Sequence, residues 1–224
     1  MKKSVLLLLW SVLAPYFIAN AWELPLSVGG GGFINLTYQN IQWDEADGST
    51  FKETTTFNGV FGAWAFFDGA FLELSAGLGG THGIQGEDWW TFYDGNGMVL
   101  QMAAFGKYPF KIGSSGVYYP LIGVDFQRLL LAMDRTGIPF SETALEDAKE
   151  WYNSTWLKLG AGLDLDMTQN LYFRAQFLYG FKFYSKPEQE VWESRRGSVQ
   201  LFAYHGPTFR IAVGYKLYTF NFGN

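Results

Sequence analysis

The chain contains two histidines, His82 and His205, and histidine is the side chain most often used for general acid–base catalysis near neutral pH. A hydrolase that acts on lipid would need a serine nucleophile beside one of them and an acid to orient the ring. The residues that flank each histidine in sequence supply neither. We therefore expect both histidines at the rim of the fold, with a lipid-modifying enzyme as the alternative.

Carboxylates occur in two kinds of group: some lie in polar segments, and others have basic residues nearby. Asp44-Glu45-Ala46-Asp47 and Glu87-Asp88 lie in polar segments, and their irregular spacing does not match a Ca²⁺ site, so we expect solvated loops. Asp164 and Asp166 have the spacing of a general acid–base pair, but basic neighbours favour a structural charge network. Without a cysteine there is no thiolate metal site. We expect no catalytic residue, no metal and no cofactor.

Two further segments are candidates for contact with other molecules. An aromatic cluster in a polar segment is either a contact for an unknown surface ligand or part of an interfacial girdle, because exposed aromatic groups can mark binding surfaces. It consists of Trp89, Trp90, Phe92 and Tyr93. Further on, Thr143 and Glu146 have capping-box spacing, which predicts a short helix through Trp151 over one end of the fold.

The composition excludes several classes of protein. The 224 residues are 48% hydrophobic and 19% aromatic, which excludes disorder, and a net charge of −5 makes nucleic acid an unsuitable partner. Lys2 and Lys3 precede an apolar run that ends in Ala19-Asn20-Ala21, the pattern of a secretory signal peptide. We expect residues 1–21 to be removed and residues 22–224 to form one exported domain.

Alternation of apolar and polar residues dominates the rest of the chain. It is clearest over 157–167, 171–183 and 209–217, where one parity is apolar and the other carries glycine and charge. A period of two over about ten residues is typical of a tilted membrane strand. Weaker examples bring the predicted number of strands to about eight.

The predicted connections alternate in length. Three are short, at 68–69, 109–116 and 168–170, and four are long and polar, at 44–53, 82–97, 129–153 and 184–205. This alternation is typical of outer-membrane proteins. The sequence therefore predicts an all-β fold: an eight-stranded antiparallel up-and-down transmembrane β-barrel with short periplasmic turns and long extracellular loops, in the bacterial outer membrane.

A secreted lipocalin-like carrier would also alternate, but with its apolar parity lining a cavity. Glycine is frequent on the polar parity, where it relieves crowding in a narrow lumen. We therefore expect the polar parity to be enclosed and its charges to form a lumen network. The predicted network is Glu73, Asp125, Lys158, Asp164, Asp166, Arg174, Lys182, Arg210 and Lys216, and Lys107 shares their parity.

Two hairpins permit predictions of register. Pairing Met167 with Leu171 places Asp164 opposite Arg174, which predicts an ion pair, and a slip by one residue would place Arg174 in lipid. Asp68-Gly69 reads as a type I′ turn. That turn would pair Trp64 with Glu73, and Gly62 with Ser75.

This pattern, with an aromatic final strand over 213–220, resembles the small outer-membrane barrels of the OmpX, OmpW and OmpA-transmembrane type. The terminal Gly223-Asn224 departs from their usual aromatic end. The resemblance implies a non-catalytic role, such as surface interaction, envelope integrity or restricted passage of small solutes, with a lumen plugged as in the OmpX type. It also implies outer-membrane lipid or lipopolysaccharide and the barrel-assembly machinery as partners.

Overall fold

The computed structural model describes residues 22–44, 50–69, 71–82, 95–134, 136–143, 145–146, 149, 153–183 and 199–222. The predicted signal peptide, the aromatic cluster at 89–93 and the acidic group at 87–88 lie outside the described residues, as does most of the group at 44–47. No helix among the described residues is long and apolar enough to cross a membrane.

The described residues form one closed antiparallel sheet. In chain order its strands are β1 (Trp22–Asp44), β2 (Thr50–Gly69), β3 (Leu72–His82), β4 (Gly95–Lys107), β5 (Phe110–Ile112), β6 (Gly116–Asp134), β7 (Ser154–Asp166), β8 (Leu171–Lys182) and β9 (Val199–Phe222). Consecutive strands are neighbours, except that β4 and β5 both pair with β6, and β9 pairs with β1 to close the barrel.

The short strand β5 is the continuation of β4. Lys107 pairs with Leu121 and Phe110 with Tyr118, so the register across β6 is unchanged by the break between them. The break contains Pro109, which has no N–H to donate to a ladder. The hairpin then closes through Gly113, whose φ of 62° is the left-handed conformation that glycine adopts readily. The described residues thus form the predicted barrel of eight strands.

The polarity of this barrel is inverted relative to a soluble protein. On β8, Phe173 and Phe177 are 37% and 47% exposed on the outer surface, whereas Arg174 between them in the chain is completely buried. A cation at the midplane of a bilayer costs about 2–4 kcal/mol, so the apolar outer face of β8 suits lipid. This arrangement confirms the predicted faces and excludes the lipocalin-like alternative, in which the apolar parity would line the interior.

The β7–β8 hairpin has the predicted register. Asp164 lies opposite Arg174 and Lys158 opposite Gly180. The turn is closed by the amide of Met167, which donates to the carbonyl of Leu171 over 2.9 Å. A short turn and a strict apolar match leave no second register available to these strands.

The register predicted for β2–β3 was wrong by four residues. Asp68 itself pairs with Glu73, and Trp64 pairs with Gly77. Positive-φ glycines among the described residues are Gly113 and Gly137, so Gly69 does not form the predicted type I′ turn. The physical reason is that Asp68 is buried in the lumen, where it forms ion pairs, instead of lying in a turn. A slip by an even number leaves the faces as predicted.

The outer connections are shorter than predicted because the strands extend further. β2 begins at Thr50, β6 continues to Asp134 and β9 begins at Val199. A tilted strand needs about 9–11 residues to cross a bilayer, and β1 and β9 contain 23 and 24. Both strands are therefore longer than a single crossing of the membrane requires.

The helix predicted in the third outer connection is present among its described residues. The amide of Leu145 donates to the carbonyl of Ser141 over 2.8 Å, and Asn153 donates to Lys149 over 2.9 Å. Glu142 is already helical, so the helix begins before the predicted capping residue Thr143.

Candidate functional site

We call the end of the barrel with the short turns its lower end. The lower half of the lumen is organised around one guanidinium. Arg174 donates to both carboxylate oxygens of Asp164, from Nε over 2.8 Å and from Nη2 over 2.6 Å. Its Nη1 donates to Glu73 over 2.8 Å, and its Nη2 also pairs with Asp68. Because the three acids lie on β7, β3 and β2, this side chain on β8 links strands across the lumen.

Aromatic rings enclose this cluster. The guanidinium carbon of Arg174 lies 4.3 Å from the ring centre of Phe66, 5.2 Å from that of Tyr172 and 5.4 Å from that of Tyr119. Cation–π contacts of this kind add to the ion pairs when water is excluded. Tyr119 also donates a hydrogen bond to Asp164 over 2.9 Å, so the rings are fixed in turn.

Glycine provides the space that these rings occupy. A Cβ added at Gly162 would lie 2.3 Å from the ring of Tyr119, and one at Gly214 would lie 2.1 Å from that of Tyr172. No real Cβ approaches an aromatic carbon so closely. The glycines of the polar parity therefore admit large side chains to a narrow lumen, as expected from the sequence.

A second charged cluster lies higher in the lumen. Lys158 pairs with Asp125 over 2.6 Å and donates to Thr208 over 2.9 Å. Arg210 lies between the two clusters, 3.7 Å from Asp125 and 3.9 Å from Glu73. The guanidinium of Arg210 therefore connects the upper cluster to the lower one.

The buried charges of the described lumen balance. The acids Asp68, Glu73, Asp125 and Asp164 face the bases Lys107, Lys158, Arg174 and Arg210. Balance matters because an unpaired charge in a low-dielectric interior is costly. Buried polar atoms that make no hydrogen bond among the described residues occur in both clusters and include Glu73 Oε1, Asp125 Oδ1 and Arg210 Nε.

An apolar layer lies at the outer end of the lumen. Phe140 and Leu145, from the third outer connection, pack against a buried cluster that includes Val99, Leu129 and Ala132. The amide of Phe140 donates to the carbonyl of Ala132 over 2.9 Å, which ties this segment to the end of β6. Side chains of the third outer connection therefore pack onto the buried residues at this end of the barrel.

Six of the nine predicted network residues are brought together in these clusters: Glu73, Asp125, Lys158, Asp164, Arg174 and Arg210. The other three lie towards the ends of the barrel. Asp166 and Lys216 pair over 2.7 Å at the exposed lower rim, and Lys182 lies over the ring of Tyr204 near the outer end.

The sequence-based network omitted Asp68 and Lys107, which form an ion pair with each other. Asp68 was assigned to a turn because it precedes glycine. Asp68 has the same parity as the buried Trp64 and Phe66, and this parity was the signal in the sequence that could have assigned it to the lumen. Lys107 shared the parity of the network but had no visible partner in sequence.

Of the two histidines, His205 is the one whose side chain the structure describes, and it lies on the outer face of the barrel. Its Nδ1 is 2.5 Å from the hydroxyl of Tyr179, and its ring stacks on those of Tyr38 and Tyr179 with centroids 5.9 and 5.8 Å apart. These partners form an aromatic belt and do not include the serine that a hydrolase needs. His82 ends β3, and its side chain lies outside the described residues.

A closed antiparallel barrel with eight strands, an apolar exterior and a buried ionic interior defines a class: the small integral β-barrels of the bacterial outer membrane. No protein-family model matches the chain, and no curated protein matches it.

Solved structures with a similar fold include that of Neisserial surface protein A (NspA), which is 13% identical with a TM-score of 0.40. That match covers 85% of this chain and 99% of NspA. Two structures of Ail, the attachment invasion locus protein of Yersinia pestis, are 15% and 16% identical. Each match covers 86% of this chain and 99% of Ail, with a TM-score of 0.35, and the first of these structures contains the heparin analogue sucrose octasulfate.

Proposed function

We propose that this outer-membrane barrel is closed to solutes and has a non-catalytic role, exercised by its outer surface in surface interaction or envelope integrity. The observation that carries the proposal is the contact of the fully buried Arg174 with three carboxylates from three other strands. A solute that entered the lumen would have to displace this cluster as well as the apolar layer at the outer end.

The energy of such a displacement is large. Removing one partner from a buried ion pair costs about 3–5 kcal/mol, because the other charge stays buried without compensation. Arg174 has three partners, and Asp68 is held by Lys107 as well. Thermal opening of the lower cluster is therefore rare, which favours a plug over restricted passage.

Planar-bilayer conductance of the refolded protein tests closure. We expect no steady discrete openings from the wild type. Arg174→Ala leaves three carboxylates facing one another, and we expect it to admit cations and give intermittent currents. Lys216→Ala removes an exposed rim charge and should stay silent. Steady discrete openings of the wild type would contradict the proposal, and a silent Arg174→Ala would show that this residue does not close the lumen.

The non-catalytic role is supported by the surroundings of His205. Its described partners are Tyr38, Tyr179 and Phe181, none of which is a nucleophile activated by histidine in a hydrolase. Refolded protein in mixed micelles should release no fatty acid from phospholipid above the rate of the detergent control. Release that disappears in His205→Ala would instead support the lipid-modifying alternative.

Three partners follow from this function. Outer-membrane lipid surrounds the apolar face, and the barrel-assembly machinery would insert the chain. An unknown surface ligand would contact the outer connections, where Trp89, Trp90, Phe92 and Tyr93 are the candidates from sequence. Binding of labelled protein to intact cells, compared with that of a variant that carries alanine at these four positions, tests the last of them.

A further inference from the structure

One charged side chain interrupts the outer face of the barrel. Gln127 and Leu129 are both buried in the lumen, so Arg128 between them points to the opposite side. Its neighbours on that face of β6 include Phe126 and Leu130, which are exposed. Among the strand residues whose side chains the structure describes, Arg128 is the only acid, lysine or arginine of the lipid-facing parity.

The position of Arg128 along β6 places it at the outer edge of the apolar band. Tyr118 marks the lower edge of the same face, about ten residues away. With a rise of about 3.3 Å per residue and a tilt of about 40°, that separation is roughly 25 Å along the barrel axis. This equals the height of the apolar band of an outer-membrane barrel, so Arg128 lies where lipid headgroups begin.

The aromatic belt on β8 and β9 lies at the same level. His205 is as far along β9 from the exposed Tyr215 as Arg128 is along β6 from Tyr118. Tyr and other amphipathic rings mark the interface between hydrocarbon and headgroups. The positions of Arg128 on β6 and His205 on β9 therefore indicate the same height along the barrel for the outer boundary between hydrocarbon and headgroups.

The guanidinium of Arg128 is held in place and keeps donors for a ligand. Its Nη1 donates to the carbonyls of Gln127 over 3.0 Å and Ser154 over 3.5 Å, across the seam between β6 and β7. Its Nε and Nη2 make no hydrogen bond among the described residues. No carboxylate among those residues pairs with it, so the described part of the chain leaves the positive charge of Arg128 available to an anionic ligand.

We propose that Arg128 binds a phosphate group of a glycolipid in the outer leaflet. A planar guanidinium matches two phosphate oxygens better than a lysine does, and a bidentate contact is favoured where water is scarce. This proposal rests on the outer-membrane location. It names the lipid chemistry at one point on the barrel, whereas the rest of the apolar face contacts acyl chains without selectivity.

The test uses refolded full-length barrel in detergent micelles and native mass spectrometry of retained lipid. The probes are diphosphorylated lipid A and the same lipid with both phosphates removed. We expect the wild type to retain the phosphorylated form about 10-fold more, the effect of one charge-assisted hydrogen-bonded contact. Arg128→Gln should abolish this preference, and Arg128→Lys should keep part of it.

Lys149→Gln is the matched control, because it removes a basic side chain on the outer side that pairs with Glu146 instead of facing lipid. It should retain the full preference. A wild type without preference for phosphorylated lipid, or an Arg128→Gln variant that keeps the preference, would overturn the proposal. Millimolar inorganic phosphate should not displace the lipid; displacement would show that the site binds free phosphate and overturn the lipid assignment.

Heat-modifiable migration of each variant on a gel separates this proposal from the proposed function. A variant that migrates as a folded barrel but lacks lipid preference tests the Arg128 site and leaves the proposed closure of the lumen unaffected. A wild type that conducts steadily while it retains phosphorylated lipid would contradict the closed lumen and leave the Arg128 site standing.

Discussion

Arg174 and Asp164 face each other across the β7–β8 ladder and share two hydrogen bonds, Nε to Oδ1 over 2.8 Å and Nη2 to Oδ2 over 2.6 Å. Both residues belong to the polar parity of a hairpin whose other parity faces lipid. The register of the hairpin therefore brings together the two residues that anchor the lower lumen cluster.

Loss of Arg174 should destabilise the barrel strongly. Arg174→Met keeps the apolar stem and leaves Asp68, Glu73 and Asp164 without their shared cation, so we expect a loss of about 3–5 kcal/mol in the free energy of unfolding. Urea titration in lipid vesicles, followed by gel migration, measures it.

Lys216→Met is the control for that measurement, because its pair with Asp166 is exposed. Exposed pairs contribute about 0–1 kcal/mol. Equal losses in the two variants would show that the buried cluster has no special role in stability.

Gly162 should tolerate no side chain. In Gly162→Ala the new Cβ would meet the ring of Tyr119 at 2.3 Å, and overpacking of this kind costs about 1–3 kcal/mol. Gly106→Ala is a matched control, because its Cβ would have its nearest neighbour at 3.7 Å. Combining Gly162→Ala with Tyr119→Ala should cost less than the sum of the two single changes. Strict additivity would contradict the proposed steric contact.

How much of the structure the sequence predicts depends on how local the determining contacts are. The faces follow from alternation, because each side chain of a strand points opposite to the next. The β7–β8 register follows as well, since a turn of three residues and an apolar match leave one solution. The β2–β3 register does not, because Asp68 is placed by Arg174, a residue more than one hundred positions away.

The connections within the lumen were also beyond the sequence. Whether Arg210 meets Glu73, Asp125 or both depends on the stagger with which the sheet closes between β9 and β1. Alternation shows which face of the sheet each charged side chain lies on, but not its position along the barrel axis. The outward Arg128 was missed for a related reason, because the alternation of β6 is weaker than that of β7 and β8.

The third outer connection should loosen in acid. Asp134 lies beyond the membrane-spanning part of β6, and its Oδ1 accepts hydrogen bonds from the hydroxyl and amide of Thr136 and the amide of Ile138. These bonds, led by that from the Thr136 hydroxyl, lower the pKa of Asp134 below its ordinary value. A lowered pKa means that the anchoring is complete above the ordinary value and is lost as the pH falls through the lowered one.

Amide hydrogen exchange at Ile138 measures this effect. After correction for the intrinsic rate, exchange should accelerate as the pH falls through the lowered pKa of Asp134, and in Asp134→Ala it should be fast at every pH. Protection that stays constant in the wild type down to the lowest pH at which the barrel is folded would show that Asp134 does not anchor the segment.

The account depends most directly on which parity meets lipid, and neighbouring residues on β8 test it. The chain has no cysteine, so Phe177→Cys and Gln176→Cys each provide a single thiol for a spin label. In lipid vesicles, a label at 177 should relax with dissolved oxygen and not with a water-soluble nickel complex, and the thiol at 176 should resist labelling until the barrel unfolds. Nickel access at 177 together with lipid contact at 176 would contradict the assignment of the two faces.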